Sequence, residues 1–151
     1  MANEEHLALV RSGAEAINAF AQANENVALD LTDADLRGLD LRNAYLQYAK
    51  LANADLQDAD LTNARLNSAD MRGCNLRGAT LCGANMHKAV FTGADLRGAR
   101  FSAIGVGNQR VCIAPASFEG VRWEREELER ILELINLNPD WEVRYQIVSR
   151  E

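Results

Sequence analysis

One five-residue unit, written fifteen times without a gap from Leu29 to Ala103, sets what this chain can fold into. Leu31, Leu36, Leu41, Leu46, Leu51, Leu56, Leu61, Leu66, Met71, Leu76, Leu81, Met86, Phe91, Leu96 and Phe101 stand five apart, all large and apolar. Two residues before each stands Ala in twelve units, Leu29 and Leu39 in two, and Cys74 in one. An α-helix turns about 100° per residue, so a step of five lands about 140° past a full turn and leaves no apolar stripe. A continuous strand fails as well, because its faces alternate with period two and an odd repeat changes sides at every unit. The period fits a chain that is extended for a few residues and then turns a corner. On each short side the small residue and the large one point inward, and the corner restores that phase. Ala, Leu, Asp and Arg are poor strand formers. Stacking must therefore override local preference, each coil lying on the last at roughly 4.8 Å and burying Leu on Leu.

Units such as Ala34-Asp35-Leu36-Arg37-Gly38 and Ala94-Asp95-Leu96-Arg97-Gly98 resemble the A-[DN]-L-x-x unit of the pentapeptide-repeat family, over 75 of the 151 residues. The spacing alone leaves the number of sides open. The resemblance implies a mainly β fold, a right-handed quadrilateral parallel β-helix with twenty residues per coil, and capping α-helices are expected at both ends. The expected organisation is an N-terminal capping helix in 1–28, the β-helix over 29–124 and a C-terminal capping helix and strand in 125–151.

Asn3 can cap a helix, with Glu4 and Glu5 in the first turn, where the dipole favours acids. Leu7, Val10, Ala14, Ile17 and Ala21 recur at steps of three or four, which predicts one helix over 4–23 with a single apolar face. Gly13 weakens it by about 1 kcal/mol relative to Ala. The helix is expected to cover the open end of the first coil, because unpaired edges invite polymerisation. The other reading is a partner-binding helix. The segment Gly13–Phe20 is loosely similar to capping helices of some bacterial family members.

With twenty residues per coil, Asp35, Asp55, Asn75 and Asp95 form one column, and Arg37, Gln57, Arg77 and Arg97 run beside it. Acid and base as neighbouring columns read as a solvated face, each exposed pair contributing about 0–1 kcal/mol. On another side Tyr45 and Tyr48 bracket Leu46, with Arg65, Asn85, His87 and Lys88 in later coils. Two tyrosines in one unit among Asp, Asn and Gly make Tyr45 and Tyr48 the candidate protein-contact patch. Gly at the fifth position (Gly73, Gly78, Gly83, Gly93, Gly98) suits corners that need relaxed backbone angles.

Beyond Phe101 the pattern is degenerate. Ile104–Asn108 completes a sixteenth unit, Gln109 and Arg110 read as a two-residue insertion, and units centred on Ile113, Phe118 and Trp123 follow. From Glu124 to Asn138 the period becomes helical, with Leu128, Ile131, Leu132 and Ile135 on one face and Pro139 at its end. Trp141, Val143, Tyr145 and Ile147 then alternate as a half-buried strand, which must pair with its own coil or with a second subunit. The chain is accordingly expected to be a monomer or a homodimer through its C-terminal end, as the resemblance implies for some members.

The net charge of −6 sits at the two ends. Residues 29–103 hold nine Asp against seven Arg and two Lys. No run of apolar residues is long enough to span a membrane, and no basic leader precedes one. The odd cysteine count (Cys74, Cys82, Cys112) favours a reducing compartment, so a cytoplasmic location is expected. With only His6 and His87, no Ser-His-Asp or Cys-His arrangement forms. Neither catalytic residues, nor a metal site, nor a cofactor is expected. The sequence points to a non-catalytic scaffold that contacts a protein partner rather than nucleic acid or membrane. The alternative, a DNA-mimicking gyrase inhibitor, follows from resemblance to the quinolone-resistance members, whose acidic rods imitate duplex DNA. The neutral coil speaks against it, since a mimic must present phosphate-like charge along its length.

Overall fold

The computed structural model describes residues 2–24, 27–101 and 121–126, together with Glu129. The fifteen large residues stack into one column, each at most 8% exposed, with the small residues of each unit buried beside them. The pairing that sets the shape is parallel and spaced by twenty: Asp30 with Lys50, Asp35 with Asp55, Asp40 with Asp60, Tyr45 with Arg65, and onward to Thr80 with Arg100. Four units therefore close one coil, and four walls rise around the column. Each pairing is a bridge of a single residue rather than a run of strand. Residues with poor strand propensity suffice because one extended residue per side is all the fold asks of them.

The unit Ala54–Asp58 shows how five backbone N–H groups are satisfied. Ala54 donates to Leu51 O at 2.9 Å within a tight turn. Asp55 donates down to Ala34 O at 2.9 Å, while Leu56 and Asp58 donate up to Asn75 O and Arg77 O at 2.8 and 2.9 Å. The remaining donor, Gln57 N, is met by Asp55 Oδ1 at 3.1 Å. This Asx turn explains the Asp or Asn at the second position of the unit: its side chain caps the one donor the ladder leaves over.

All fourteen described corners have φ between 58° and 74°. In the first coils many corners are Asn or Asp, and above them stands Gly. At Gly73 a Cβ would lie 2.5 Å from Asn53 Oδ1, so the lower side chain occupies the space that glycine leaves.

The N-terminal region departs from the single helix expected over 4–23. It is two helices, α1 (Glu4–Arg11) and α2 (Ala14–Ala23). Asn3 caps α1 through Oδ1, which accepts from Glu5 N and His6 N. The break falls at Ser12-Gly13, where Gly13 has φ 98°. The glycine does more than weaken one helix; it supplies the backbone angle that turns the chain between two. Val10 and Ile17 are buried in the same cluster as the column. Asn3 N donates to Asp30 O at 3.0 Å, Asp30 N donates to His6 Nδ1 at 2.9 Å, and Tyr45 N donates to Asn18 Oδ1 at 2.7 Å. The His6 and Asn18 side chains and the Asn3 N–H stand where a lower coil's backbone would be. The equivalent N–H groups of Asp35 and Asp40 meet no acceptor among the described residues and are exposed.

The far end also differs from expectation. Arg122 bridges Asp95, with Leu96 N donating to Arg122 O and Arg122 N to Ala94 O, both at 2.9 Å. Trp123 thus continues the wall of Leu96, tilted against Phe101 at 5.9 Å between ring centres. A two-residue insertion would have set it above Phe101 itself. The chain carries seven residues more than a regular coil before it returns to that wall. The units centred on Val106, Ile113 and Phe118, the insertion at Gln109-Arg110 and the terminal strand lie outside the described residues. So does the expected C-terminal helix apart from its start, where Arg125 Nε donates to Glu129 Oε1 at 2.9 Å.

Candidate contact surface

The four walls differ in what they present. The first wall bridges through Asp30, Lys50, Asp70 and Val90; the second through Asp35, Asp55, Asn75, Asp95 and Arg122; the third through Asp40, Asp60, Thr80 and Arg100; the fourth through Tyr45, Arg65 and Asn85. On the second and third walls the acid and base columns meet within one unit. Arg37 holds Asp35 at 2.7 Å, Arg42 holds Asp40 at 2.5 Å and Arg97 holds Asp95 at 2.5 Å. On the first wall Arg72 holds Asp70 at 2.6 Å. Hydrogen bonds from these guanidinium groups pull the carboxyls of Asp35 and Asp40 down to about 2. A wall of such pairs presents little net field to a charged partner.

The fourth wall is built differently. Its described units, Ala44–Tyr48, Ala64–Ser68 and Ala84–Lys88, contain no Asp or Glu, while each other wall carries at least two Asp. Tyr45 is half-buried, and the Arg65 guanidinium lies over its ring at 3.9 Å, a cation–π contact. Tyr48 is 60% exposed and Val27 50%, and among the described residues these are the exposed large apolar side chains. The structure therefore brings the two tyrosines to one wall but gives them unequal tasks: Tyr45 packs under Arg65, and Tyr48 faces solvent.

A cleft of about 360 Å³ opens where this wall meets α2 and the segment after it. Phe20, Asn24, Val27, Tyr45, Gln47 and Tyr48 line it. The cleft lies at the seam between helix and coil, made by residues far apart in sequence, and among the described residues no carboxylate lines it. Asn18 fixes that seam: besides accepting from Tyr45 N, its Nδ2 donates to Asn43 O at 3.1 Å.

Among the described residues no three His, Cys, Asp or Glu gather as metal ligands. Cys74 is buried in the column, where desolvation pushes its thiol up to about 12, far from a reactive thiolate. Cys82 is on the third wall and His87 on the fourth, as four-fold winding requires. No helix is long and apolar enough to cross a membrane among the described residues.

The profile described as pentapeptide repeats matches in eight copies, over residues 29–63, 40–78 and 64–102. No curated protein matches the chain. Among solved structures, a pentapeptide repeat protein from the cyanobacterium Cyanothece 51142 aligns at 29% identity over 64% of this chain and 61% of that one, with a TM-score of 0.55. The chain thus matches under two thirds of that relative's length. A pentapeptide repeat protein from the Arabidopsis thaliana thylakoid lumen aligns at 25% identity over 70% of this chain and 72% of that one, with a TM-score of 0.50. QnrB1, a plasmid-mediated fluoroquinolone resistance protein, aligns at 19% identity over 77% of this chain and 65% of that one with a TM-score of 0.37, too distant to carry an argument. The five-residue beat, the four-sided winding, the repeat profile and the first two of these structures agree: the chain belongs to the pentapeptide-repeat family, whose members wind as right-handed β-helices.

Proposed function

We propose that this protein is a non-catalytic interaction module, a rod capped at its N-terminal end by α1 and α2, whose fourth wall receives a protein partner. The observation that carries this reading is Tyr48: a large aromatic side chain, 60% exposed, beside a cleft and on a wall without carboxylates. Aromatic residues concentrate at the centres of protein interfaces. A packed column and paired walls offer scaffolding and no site to desolvate a reacting group.

The test is affinity purification from the native cell with the wild-type chain and with Tyr45→Ser/Tyr48→Ser, quantified by mass spectrometry. Loss of a specifically retained protein in the variant supports the reading; equal retention by both rules the patch out. The gyrase-inhibitor alternative has less support, because Asp35, Asp40, Asp70 and Asp95 are each neutralised by a neighbouring Arg. Unimpaired supercoiling at micromolar protein would dispose of it.

A further inference from the structure

Every described corner on the first three walls is Gly, Asn or Asp, the residues that bear a left-handed backbone best. On the fourth wall none is. Tyr48, Ser68 and Lys88 occupy its corners with φ of 63°, 58° and 60°. Strained angles held by unsuited residues gather where side chains are kept for function. The same wall is the one without acids. Among the described residues neither Arg65 nor Lys88 meets a carboxylate; Arg77 and Arg100 do not either, but they share their walls with acids, which Arg65 and Lys88 do not. A coil of zero net charge thus hides a cationic strip that starts at the cleft beside Tyr48 and runs through Arg65 to Lys88.

We infer that the fourth wall docks an acidic peptide segment of a partner protein, extended along the rod, with an apolar side chain anchored at the cleft. The inference rests on the contact-surface reading and adds the chemistry of the occupant. Tyr48, Ser68 and Lys88 follow one another at the coil spacing, so the strip is roughly 10 Å long, the reach of about three extended residues. Val27 and the Tyr48 ring offer apolar surface to the anchor, and Arg65 and Lys88 offer charge to acids that follow it. Nucleic acid is the poorer fit: its binding grows with the number of phosphates neutralised, and this strip carries two fixed cations on a chain of net charge −6.

The test uses the full chain and fluorescence anisotropy with a short labelled peptide of Asp and Glu around a central Leu-Phe pair. The comparison probes are the same peptide with Lys replacing the acids and a single-stranded oligonucleotide. The acidic peptide is expected to bind saturably and to weaken as salt is raised. Arg65→Glu/Lys88→Glu, checked for folding by circular dichroism, is expected to lower its affinity roughly tenfold or more. Arg77→Glu, on the second wall, is expected to leave it unchanged. No binding, equal binding by the double variant, stronger binding of the oligonucleotide, or self-association that occupies the wall would each overturn the inference. If Tyr45→Ser/Tyr48→Ser abolishes partner capture while the charge reversal has no effect, the contact surface stands and the acidic occupant falls. If neither matters, both fall.

Discussion

The side-chain amide of Asn18 takes the place of a peptide group beneath Tyr45: its Oδ1 accepts from Tyr45 N at 2.7 Å, as Ala44 O accepts from Arg65 N one coil higher. A helix side chain thereby meets a donor at the edge of a β-coil. His6 does the same for Asp30 N on the first wall. Solenoid ends are hazardous because their unpaired groups template further stacking, and here two of the four are met by side chains from α1 and α2.

Asn18→Ala should therefore cost about 1–3 kcal/mol, the range for a donor left without its partner. The Asn43 carbonyl loses its donor in the same step. Urea unfolding measures the loss. A change below about 0.5 kcal/mol would show that water replaces the amide at no penalty and that the clasp is incidental.

Tyr48→Asn should move stability and binding in opposite directions. The corner φ of 63° brings Cβ close to the following carbonyl oxygen at a cost of about 1–2 kcal/mol, which Asn, with a short polar side chain that bonds locally, bears better than Tyr. The variant is expected to unfold at higher denaturant while its capture of the partner weakens. A variant that is both less stable and fully competent to bind would contradict both halves of the argument.

The column was legible in the sequence because a beat of five has few physical solutions, and Leu31 to Phe101 all fell inside as the period required. The winding into four was not legible from spacing, since the backbone bonds that count to twenty leave no mark on residue type. Leu7, Val10, Ala14 and Ile17 keep helical rhythm across Gly13, so the break between α1 and α2 was hidden by a periodicity that two packed helices share with one. The wall on which Trp123 lands depends on the length of an irregular segment, which degenerate units disguise. Tyr45 and Tyr48 were legible as an oddity of composition. Their cleft was not, because Phe20 and Val27 reach it only through packing.

Acid should erode the fold within a defined window. Hydrogen bonds from Arg37 and Arg42 lower the folded-state values of Asp35 and Asp40 to about 2, against about 3.9 in an unfolded chain. A depressed carboxyl contributes stability that is present above its unfolded value and lost as pH falls through its folded one. Stability is expected to stay level from neutrality to about pH 4 and to decline from there toward pH 2. These pairs are more than half exposed, so the slope should be shallow and flatten further in high salt. Denaturation curves at stepped pH check this, and Asp35→Asn/Asp40→Asn should remove part of the decline. An equal slope in that variant would place the acid sensitivity elsewhere.

The interior is the severest test of the architecture. Leu66 is fully buried, with Leu46 below it and Met86 above in the same column. Leu66→Ala should cost about 2–5 kcal/mol, since the coils on either side are held by the backbone ladder and cannot close on the cavity. Leu66→Asp adds an unpaired carboxylate with no donor in reach and should unfold the chain, because the whole of a domain's stability is about 5–15 kcal/mol. Circular dichroism and thermal melts distinguish the two. If Leu66→Asp instead retained a cooperative melt, the column would have to admit water, and the reading of a solid rod with contact walls would have to be given up.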